Sequence, residues 1–420
     1  MLTVIMAGGK GTRVASLACD IPKPMIPVSG KPILEHQINC LKNNGLCDIL
    51  IVVGHLSDSI TNYFGDGSRF GCRINYYKET EPLGTAGALY KIKSLVDHKN
   101  EDFILINGDI IFDIDFNRMI TFHKEHKAWA SLAIHPNNHP FDSALIVCDY
   151  NNQITAWLNK EDTISREQTY YKNLVNAGIH ILSPDLLRNC PQDKIKIDLD
   201  RDILKKMIHC GHIFGYTTPE YIKDMGTPER FVQVSEAIEK GIVKNKNLSV
   251  KQKCVFLDRD GTINVLNDFI TKPEDFILID GAAEAIKTIN DSGFLAIVIT
   301  NQPVIARGDI DFQTLDLIHN KMETDLGKQG AFIDDLFFCP HHPDMGFDGE
   351  RLEYKIDCDC RKPKPGMIFK AAQKYNIDLA NSYMVGDHNR DIEAGAAAGC
   401  IPVLLKDNTL ADFASEFFKT

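Results

Sequence analysis

No stretch of this chain approaches the roughly 18 consecutive apolar residues that a membrane-spanning helix requires. The first residues turn from a strand-like segment into a glycine loop and lack the pattern of a signal peptide. We therefore expect a cytoplasmic protein that does not bind a membrane.

An excess of positive charge is also missing. The chain carries 46 Lys and Arg residues against 57 Asp and Glu residues, which gives a formal net charge of −11. Proteins that coat nucleic acid need the opposite balance, because basic side chains hold the phosphate backbone. We expect no nucleic-acid partner, and any polyanionic ligand must be held by local groups.

A length of 420 residues exceeds one ordinary hydrophobic core and favours two or three domains. A hydrophobic content of 44% and a charged content of 25% are typical of a globular chain. Such a chain does not need disulfides, so most of the twelve cysteines are expected to be free core residues. The composition leaves a homo-oligomer open.

Two apolar segments, Leu2 to Ala7 and Cys254 to Leu257, each lead directly into a loop suited to phosphate or metal. Each resembles the first strand of its own α/β domain. The polar, lysine-containing stretch 239–251 between them is interpreted as a solvated linker. This predicts domains at 1–238 and 252–420.

Apolar runs alternate with helix-like stretches in both halves, which predicts α/β folds, with a mainly parallel sheet in the first half. Further strands are expected at Ile49 to Val53, Phe103 to Ile106, Ala130 to Ile134, Phe294 to Ile299, Asp335 to Phe338, Ser382 to Val385 and Ile401 to Leu404. Helices are expected at Ile33 to Asn43 and Ala86 to Leu95.

The first glycine loop can bring backbone N–H groups close to phosphate oxygens. Its candidate binding residues are Gly8, Gly9, Gly11 and Thr12. The loop is neither a P-loop nor a dinucleotide-binding fingerprint, and taken alone it is equally compatible with a plain turn.

Together with later motifs, this loop closely resembles the nucleotidyltransferases that make nucleotide sugars, over about residues 1–235. The matching stretches are Met6 to Arg13, Pro22 to Met25, Gly30 to Glu35, Glu81 to Gly87, Asn107 to Asp109, Asn176 to Gly178 and Asp224 to Glu229. The resemblance implies a Rossmann-like mixed sheet and a sugar 1-phosphate that attacks the α-phosphorus of a nucleoside triphosphate.

The resemblance also implies residue roles. Asp109 and Asp224 match the positions that hold Mg²⁺ against the phosphates. Arg13 and Lys23 match residues that grip the triphosphate and the reacting phosphate, and Lys160 matches a lysine that binds the sugar phosphate. The loop at Gly84 would face the base or sugar, and Asn176 and Gly178 would face the sugar. A helix cap for Asp109 and solvated surface for Lys160 are the alternatives.

In the second half, Asp258 and Asp260 lie two residues apart after a strand, so one carboxylate can attack phosphorus while the other handles the proton. Alone, such a pair is also a common turn or metal motif. With Thr300 to Gln302, Arg361 to Pro363 and Gly386 to Asp391, it resembles the haloacid dehalogenase-like (HAD) phosphatases over about residues 252–410.

The resemblance implies that Asp258 forms a phospho-aspartate, and that Asp260 protonates the leaving alcohol and then activates water. Thr300 and Lys362 hold the phosphoryl oxygens. Asp387, the side chain of Asp258 and the carbonyl of Asp260 bind Mg²⁺. Asp391 is expected to support the loop or cap the next helix.

Four residues in a Pro- and Gly-rich loop offer the soft and borderline ligands that zinc prefers. They are Cys339, His341, Cys358 and Cys360. A closed four-ligand site leaves no position for water, so the zinc is expected to be structural; free core cysteines with a surface histidine are the alternative.

The zinc loop runs directly into Lys362, an arrangement similar to the heptose bisphosphate phosphatase branch, which also includes histidinol phosphatases. Asn301 and Arg361 match the substrate-contact positions of that branch. The resemblance implies a HAD-like Rossmannoid fold, and the short loops between Gly261 and Gly281 predict that its cap is minimal.

Joined on one chain, the halves suggest consecutive steps that yield a nucleotide-activated heptose, with GTP and heptose phosphates as ligands and GDP-D-glycero-α-D-manno-heptose as the product. Three alternatives stay open: a hexose-phosphate transferase, a phosphatase for histidinol phosphate or general sugar phosphates, and a half that is a silent binding or regulatory module. The choice of base is the weakest step, because purine and pyrimidine transferases share these motifs.

Overall fold

The computed structural model describes residues 1–9, 21–54, 56–93, 101–158, 170–190, 194–346, 348–406 and 408–418. The chain forms two compact units. The first unit comprises Met1–Ile134, Ile146–Trp157 and Asn176–Asn247. The second unit comprises His135–Leu145, Leu158–Val175 and Leu248–Thr420. Two short segments from the middle of the sequence thus belong to the same unit as the C-terminal part.

The strands of the first part of the chain form one nine-stranded sheet and two short antiparallel pairs. They are β1 (Thr3–Ala7), β2 (Pro27–Val28), β3 (Lys31–Pro32), β4 (Asp48–Val53), β5 (Arg73–Lys78), β6 (Phe103–Asn107), β7 (Ile110–Asp113), β8 (Ala130–His135), β9 (Leu145–Cys148), β10 (Ile154–Leu158), β11 (Val175–Leu182), β12 (Ile213–Thr217) and β13 (Tyr221–Asp224).

The large sheet is mixed. Its main path runs β10-β9-β11-β6-β1-β4-β5, and β8 joins β11 to β12. Strand β1 lies parallel to both β4 and β6, whereas β11 lies antiparallel to β6. The expected mainly parallel order therefore holds around β1, and the antiparallel strands make the sheet mixed, as the family resemblance implied.

The helices of this part begin with α1 (Ile33–Asn43), whose bounds agree with the sequence prediction. The others are α2 (Ser57–Phe64), α3 (Gly84–Lys91), α4 (Phe116–Glu125), α5 (Pro184–Asn189), α6 (Lys205–Met207), α7 (Pro228–Glu239) and α8 (Ile242–Asn245), with a π-helix at Leu199–Leu204. Helix α8 lies in the stretch that was expected to be a solvated loop. Val243 and Asn247 are buried there, and the amide of Asn247 donates to Asp113 at 2.7 Å.

The second unit contains a parallel five-stranded sheet in the order β16-β15-β14-β17-β18. Its strands are β14 (Cys254–Leu257), β15 (Leu295–Asn301), β16 (Asp335–Cys339), β17 (Tyr383–Gly386) and β18 (Ile401–Leu404). Its helices are α9 (Ala282–Asp291), α10 (Phe312–Lys328), α11 (Gly366–Tyr375), α12 (Asn389–Ala398) and α13 (Leu410–Phe417). Two separate apolar clusters pack on this sheet, which explains the continuous apolar strands.

Both units are α/β, which confirms the predicted class. Between Gly261 and Gly281 the second unit forms no helix beyond a 3-10 turn at Pro273–Asp275, in agreement with a minimal cap. Among the residues that the structure describes, no helix is both long enough and apolar enough to cross a membrane.

Candidate active sites

The candidate phosphatase residues lie at one edge of the five-stranded sheet. Asp258 follows β14, Thr300 is the next-to-last residue of β15, and Asp387 follows β17. Carboxyl ends of parallel strands meet at the same edge, which is where α/β proteins bind ligands. The fold therefore brings together residues that are up to 129 positions apart in the sequence.

Lys362 lies at the centre of this cluster. Its ammonium nitrogen is 2.8 Å from Asp258 Oδ1 and 2.7 Å from Asp391 Oδ1, and it donates to the carbonyl of Ile299 at 2.7 Å. Lys362 is 3% exposed, so these contacts are almost free of solvent screening. Burial raises the pKa of Asp258, while the charge of Lys362 acts in the opposite direction.

Three carboxylates converge beside this lysine. Ligand atoms of Asp258, Asp387 and Asp391 lie within 4.8 Å of one another. Gly261 permits this approach, because a Cβ atom there would lie 2.2 Å from Asp387 Oδ2. Lys362 supplies one positive charge to three acids, and carboxylate oxygens are the ligands that Mg²⁺ prefers. The residues present therefore fit a divalent cation.

Asp391 also has the structural role expected from the sequence. It forms a capping box with His388 at the start of α12, and its Oδ2 accepts from the His388 backbone N–H at 3.0 Å. Its other carboxylate oxygen is the one that contacts Lys362.

Asp260 is held by a network that the sequence did not reveal. The fully buried guanidinium of Arg259 donates to both carboxylate oxygens from Nη2, at 2.9 and 3.0 Å. The amides of Asn264 and Gln302 donate to the same carboxylate at 3.1 and 2.9 Å. Burial acts to raise the pKa of Asp260, but Arg259 and the other donors outweigh it and hold the pKa below its ordinary value.

Among the remaining predicted residues of this site, Asn301 holds the backbone of Lys362, whereas Thr300 and Arg361 contact other groups. The amide of Asn301 donates to the Lys362 carbonyl at 3.0 Å, and its Oδ1 accepts from the Lys362 N–H at 3.0 Å. The hydroxyl of Thr300 accepts from Gln302 at 2.9 Å. Arg361 points its Nη1 at the carbonyl of His341, 3.0 Å away.

The predicted zinc ligands form a compact group that could hold a metal ion. Cys339, His341, Cys358 and Cys360 place their ligand atoms together, with S–S distances of 3.1–3.4 Å and S–N distances of 3.4 and 3.6 Å. Zn–S bonds of about 2.3 Å in a tetrahedron imply S–S edges of about 3.8 Å, so the sulfur atoms would separate by about half an ångström to hold zinc. Hydrogen bonding with Cys339 lowers the pKa of Cys360 to about 5, which favours the thiolate that metals bind.

In the first unit, the structure brings Lys23, Asp109 and Asp224 to neighbouring positions. Lys23 Nζ is 2.6 Å from Asp109 Oδ2, and Asp224 lies opposite Ile110 in the β7–β13 pair. The N–H of Met225, the residue after Asp224, donates to the Asp109 carbonyl at 2.9 Å, so a backbone hydrogen bond holds the two acidic positions next to each other. Asp224 forms an ion pair with Arg230.

The candidate sugar residues Asn176 and Gly178 lie on β11, and Gly84 begins α3. Asn176 Oδ1 accepts from the N–H of Gly178 at 3.2 Å. Gly178 has a φ of +75°, and a Cβ atom on it would lie 2.6 Å from the side-chain nitrogen of Asn107. Gly84 begins α3 with φ +82°, packed against the carbonyl of Ile197. Both glycines occupy positions that a larger residue would not fit.

Gly8 and Gly9 follow β1 as expected. Gly8 packs tightly, because a Cβ atom there would lie 2.5 Å from Glu79 Oε2. Gly11, Thr12, Arg13 and Lys160 lie outside the described residues.

Comparison with known proteins agrees with the two predicted enzyme families. A family model described as nucleotidyl transferase matches residues 2–241, more than half of the chain. A D-glycero-beta-D-manno-heptose-1,7-bisphosphate 7-phosphatase of Vibrio cholerae is 42% identical over 145 residues, which cover 34% of this chain and 76% of that protein. The chain belongs to the nucleotidyl transferase family and, in its other part, to the heptose bisphosphate phosphatase family.

Three further similarities were found. A HAD-hydrolase-like model matches residues 359–412. The mannose-1-phosphate guanylyltransferase of Mycobacterium tuberculosis is 28% identical over 247 residues, 58% of this chain. The chain spans 66% of the length of that relative. The crystal structure of HddC from Yersinia pseudotuberculosis with GMP-PN is 25% identical, covers 56% of this chain and 99% of that one, and superposes with a TM-score of 0.48.

Within this nucleotidyl transferase and phosphatase chain, sequence reasoning missed Arg259, Arg230 and Asp200. The amide of Asn176 lies 3.4 Å from both oxygens of Asp200, and burial raises the pKa of that carboxyl to about 7. The alternating acids Asp198, Asp200 and Asp202 were the available signal, but a charge run usually marks a solvated face.

Proposed function

We propose that this chain is a bifunctional enzyme that makes a nucleotide-activated heptose. It removes the 7-phosphate from D-glycero-D-manno-heptose 1,7-bisphosphate and then transfers GMP from GTP to the resulting heptose 1-phosphate. The products are inorganic phosphate, pyrophosphate and GDP-D-glycero-α-D-manno-heptose. The observation that carries the proposal is the cluster of Asp258, Lys362 and the neighbouring carboxylates on the same chain as the Lys23–Asp109 pair.

In the phosphatase reaction, a carboxylate oxygen of Asp258 attacks the phosphorus of the 7-phosphate. The bond from phosphorus to the sugar oxygen breaks, the sugar oxygen takes a proton from Asp260, and an aspartyl phosphate remains. Water then gives a proton to Asp260 and attacks phosphorus, which restores Asp258 and releases phosphate. Lys362 and Thr300 stabilise the charge on the phosphoryl oxygens.

The contacts of Asp260 suit the second of these steps in particular. Arg259, Asn264 and Gln302 all donate to its carboxylate, so the ionised form predominates before substrate binds. That form accepts the proton of water. The first step needs the protonated form of Asp260, which is the minor form before substrate binds. Binding of the substrate phosphate must therefore raise the fraction of Asp260 that is protonated.

In the transferase reaction, an oxygen of the sugar 1-phosphate attacks the α-phosphorus of GTP in line, and pyrophosphate leaves. The protein contributes mostly position and positive charge, because both reactants are anions. Lys23 and Arg13 would bind the phosphates, and Lys160, Asn176 and the loop at Gly84 would bind the sugar and base.

Two kinds of metal are part of the proposal. Asp109 and Asp224 would hold Mg²⁺ in the first unit, and Asp258, Asp387 and the carbonyl of Asp260 would hold it in the second. Mg²⁺ bound by these residues would neutralise phosphate charge in each reaction. The four residues Cys339, His341, Cys358 and Cys360 would hold a structural zinc ion that orders the loop leading to Lys362.

The decisive experiment offers both anomers of heptose 1,7-bisphosphate with each nucleoside triphosphate and identifies the products by mass. A nucleotide-linked heptose formed with GTP supports the proposal. A product that contains a hexose or another base would contradict the proposed substrates. It would leave the two proposed reactions, phosphate release and nucleotidyl transfer, unchanged.

Two substitutions separate the reactions. Asp258→Asn should abolish phosphate release and leave transfer to heptose 1-phosphate unchanged, and Asp109→Asn should do the reverse. Asp275→Asn, at an exposed position of the second unit, is the matched control. Loss of both activities in one folded variant would contradict two independent sites.

A further inference from the structure

Two arginine residues flank the carboxylate cluster of the second unit. Lys362 Nζ lies 2.7 Å from Asp391 Oδ1, and each of these two residues directly follows an arginine in the sequence. The arginines are Arg361, which ends the cysteine loop, and Arg390, in the first turn of α12. The contact between Lys362 and Asp391 therefore places both arginine positions beside the same cluster, although 29 positions separate them in the sequence.

The two arginine side chains are held differently. Arg361 is half-buried, and its Nη1 donates to the carbonyl of His341 at 3.0 Å. Arg390 is exposed, and its guanidinium makes no hydrogen bond or ion pair with any residue that the structure describes. A fixed guanidinium and an unpaired one thus lie at the same site.

The charges of these side chains act on each other. Burial lowers the pKa of Arg361, and the positive charge of Arg390 acts in the same direction. Burial raises the pKa of Asp387, and the charge of Arg390 opposes that change. Exposed charges are largely screened from one another beyond about 8–10 Å, so the Arg390 guanidinium lies near both groups. The side chain of Arg390 is therefore directed toward the site.

The neighbouring acids do not neutralise these two arginines. Asp258 and Asp391 contact Lys362 at 2.8 and 2.7 Å, and Asp260 contacts the Nη2 of Arg259 at 2.9 Å. Each of these acids is thus already paired with another cation. Two like charges that lie near one another repel, and an anion bound between them removes that repulsion.

Phosphate is the anion that suits this arrangement. The planar guanidinium donates to phosphate oxygens through two parallel N–H groups, and arginine is the usual residue for such recognition. In the proposed phosphatase reaction, Lys362 and Thr300 contact the phosphate that is hydrolysed. Arg361 and Arg390 remain for a second phosphate, and the proposed substrate carries one on C1 of the sugar.

We propose that Arg390 acts with Arg361 to bind the phosphate that is not hydrolysed, the 1-phosphate of heptose 1,7-bisphosphate. Arg390 is thereby a specificity residue that favours a sugar bisphosphate over a sugar monophosphate. This inference rests on the proposed function for the identity of the sugar. All of its residues belong to the second unit.

The test compares heptose 1,7-bisphosphate with heptose 7-phosphate in the full chain, because both carry the same reacting phosphate. The preference for the bisphosphate, expressed as the ratio of the two kcat/KM values, should fall about tenfold in Arg390→Gln, since a charge-assisted contact to phosphate is lost. Arg390→Lys keeps the positive charge but not the planar guanidinium, so it should recover part of the preference. Lys370→Gln removes one exposed positive charge from α11 of the same unit and should leave the ratio unchanged.

An unchanged ratio in Arg390→Gln would overturn the inference. An equal fall in kcat/KM for both substrates would also overturn it, because the effect would then not depend on the second phosphate. A wild-type chain that releases no phosphate from either heptose phosphate would instead refute the proposed function.

Competition then tests the second-phosphate contact by itself. Heptose 1,7-bisphosphate should inhibit the hydrolysis of p-nitrophenyl phosphate, with an inhibition constant about tenfold higher in Arg390→Gln than in the wild type. Equal inhibition constants, or no inhibition of the wild type, would overturn the inference.

Discussion

Replacement of Lys362 by methionine tests the charge balance of the second site most directly. The substitution keeps a long apolar side chain and removes the ammonium group that contacts Asp258 and Asp391 at 2.8 and 2.7 Å. It also removes the donor to the Ile299 carbonyl. Two buried carboxylates are left close together without their shared cation.

The cost can be worked from these contacts. Loss of one partner of a buried ion pair destabilises a protein by about 3–5 kcal/mol, because the remaining charge stays buried. The lost hydrogen bond overlaps with this cost, since it comes from the same ammonium group. For a unit of this size, about 2–4 °C per kcal/mol predicts a fall in the unfolding temperature of about 6–20 °C.

The loop provides its own control two residues away. Lys364 is 2.6 Å from Asp357, but the side chains are 41% and 75% exposed, so water screens the pair and Lys364→Met should leave the unfolding temperature nearly unchanged. Both variants are compared by thermal unfolding and by phosphate release. The double variant Lys362→Met with Asp391→Asn should regain part of the stability but no phosphatase activity. If Lys362→Met unfolds at the same temperature as Lys364→Met, the charge argument is refuted.

Two further predictions concern the neighbours of this lysine. Arg259→Met should lower phosphatase kcat about 10- to 100-fold while the chain stays folded, because Asp260 loses its charge-assisted donors. Arg259→Lys keeps the positive charge but not the planar guanidinium, so it should recover only part of the rate. An unchanged kcat in Arg259→Met would contradict the role of this network. Elemental analysis should find about one zinc per chain in the wild type and in Cys210→Ser, and much less in Cys360→Ser; metal-free wild-type protein would contradict the zinc assignment.

The sequence predicted the parts of the fold that depend on local pattern. Strands β14 and β18 and helix α1 have the expected bounds, because apolar runs and periodicity determine them. The second site could be located as well, since Asp258, Thr300 and Asp387 each follow or end a predicted strand. Parallel strands bring such residues to one edge without any further information.

Contacts between distant residues could not be predicted in the same way. Arg259 is a charged residue in a loop, which ordinarily indicates exposure, yet its partner Gln302 lies 43 positions away and its side chain is fully buried. The link between Asn173 and Glu323 spans 150 positions. Nothing in the local pattern around either residue identifies the other.

The residues before Pro363 show how local and distant contacts combine in the second site. Cys360 is held by its sulfur neighbours, Arg361 by the carbonyl of His341, and Lys362 by Asn301 and two carboxylates. Three consecutive residues are thus fixed by three separate parts of the unit. A long, flexible lysine side chain loses conformational entropy when it is buried. Because the backbone of Lys362 is already fixed by its neighbours, only the side chain has to be ordered. The cysteine loop therefore contributes to the placement of the Lys362 ammonium group without contacting it.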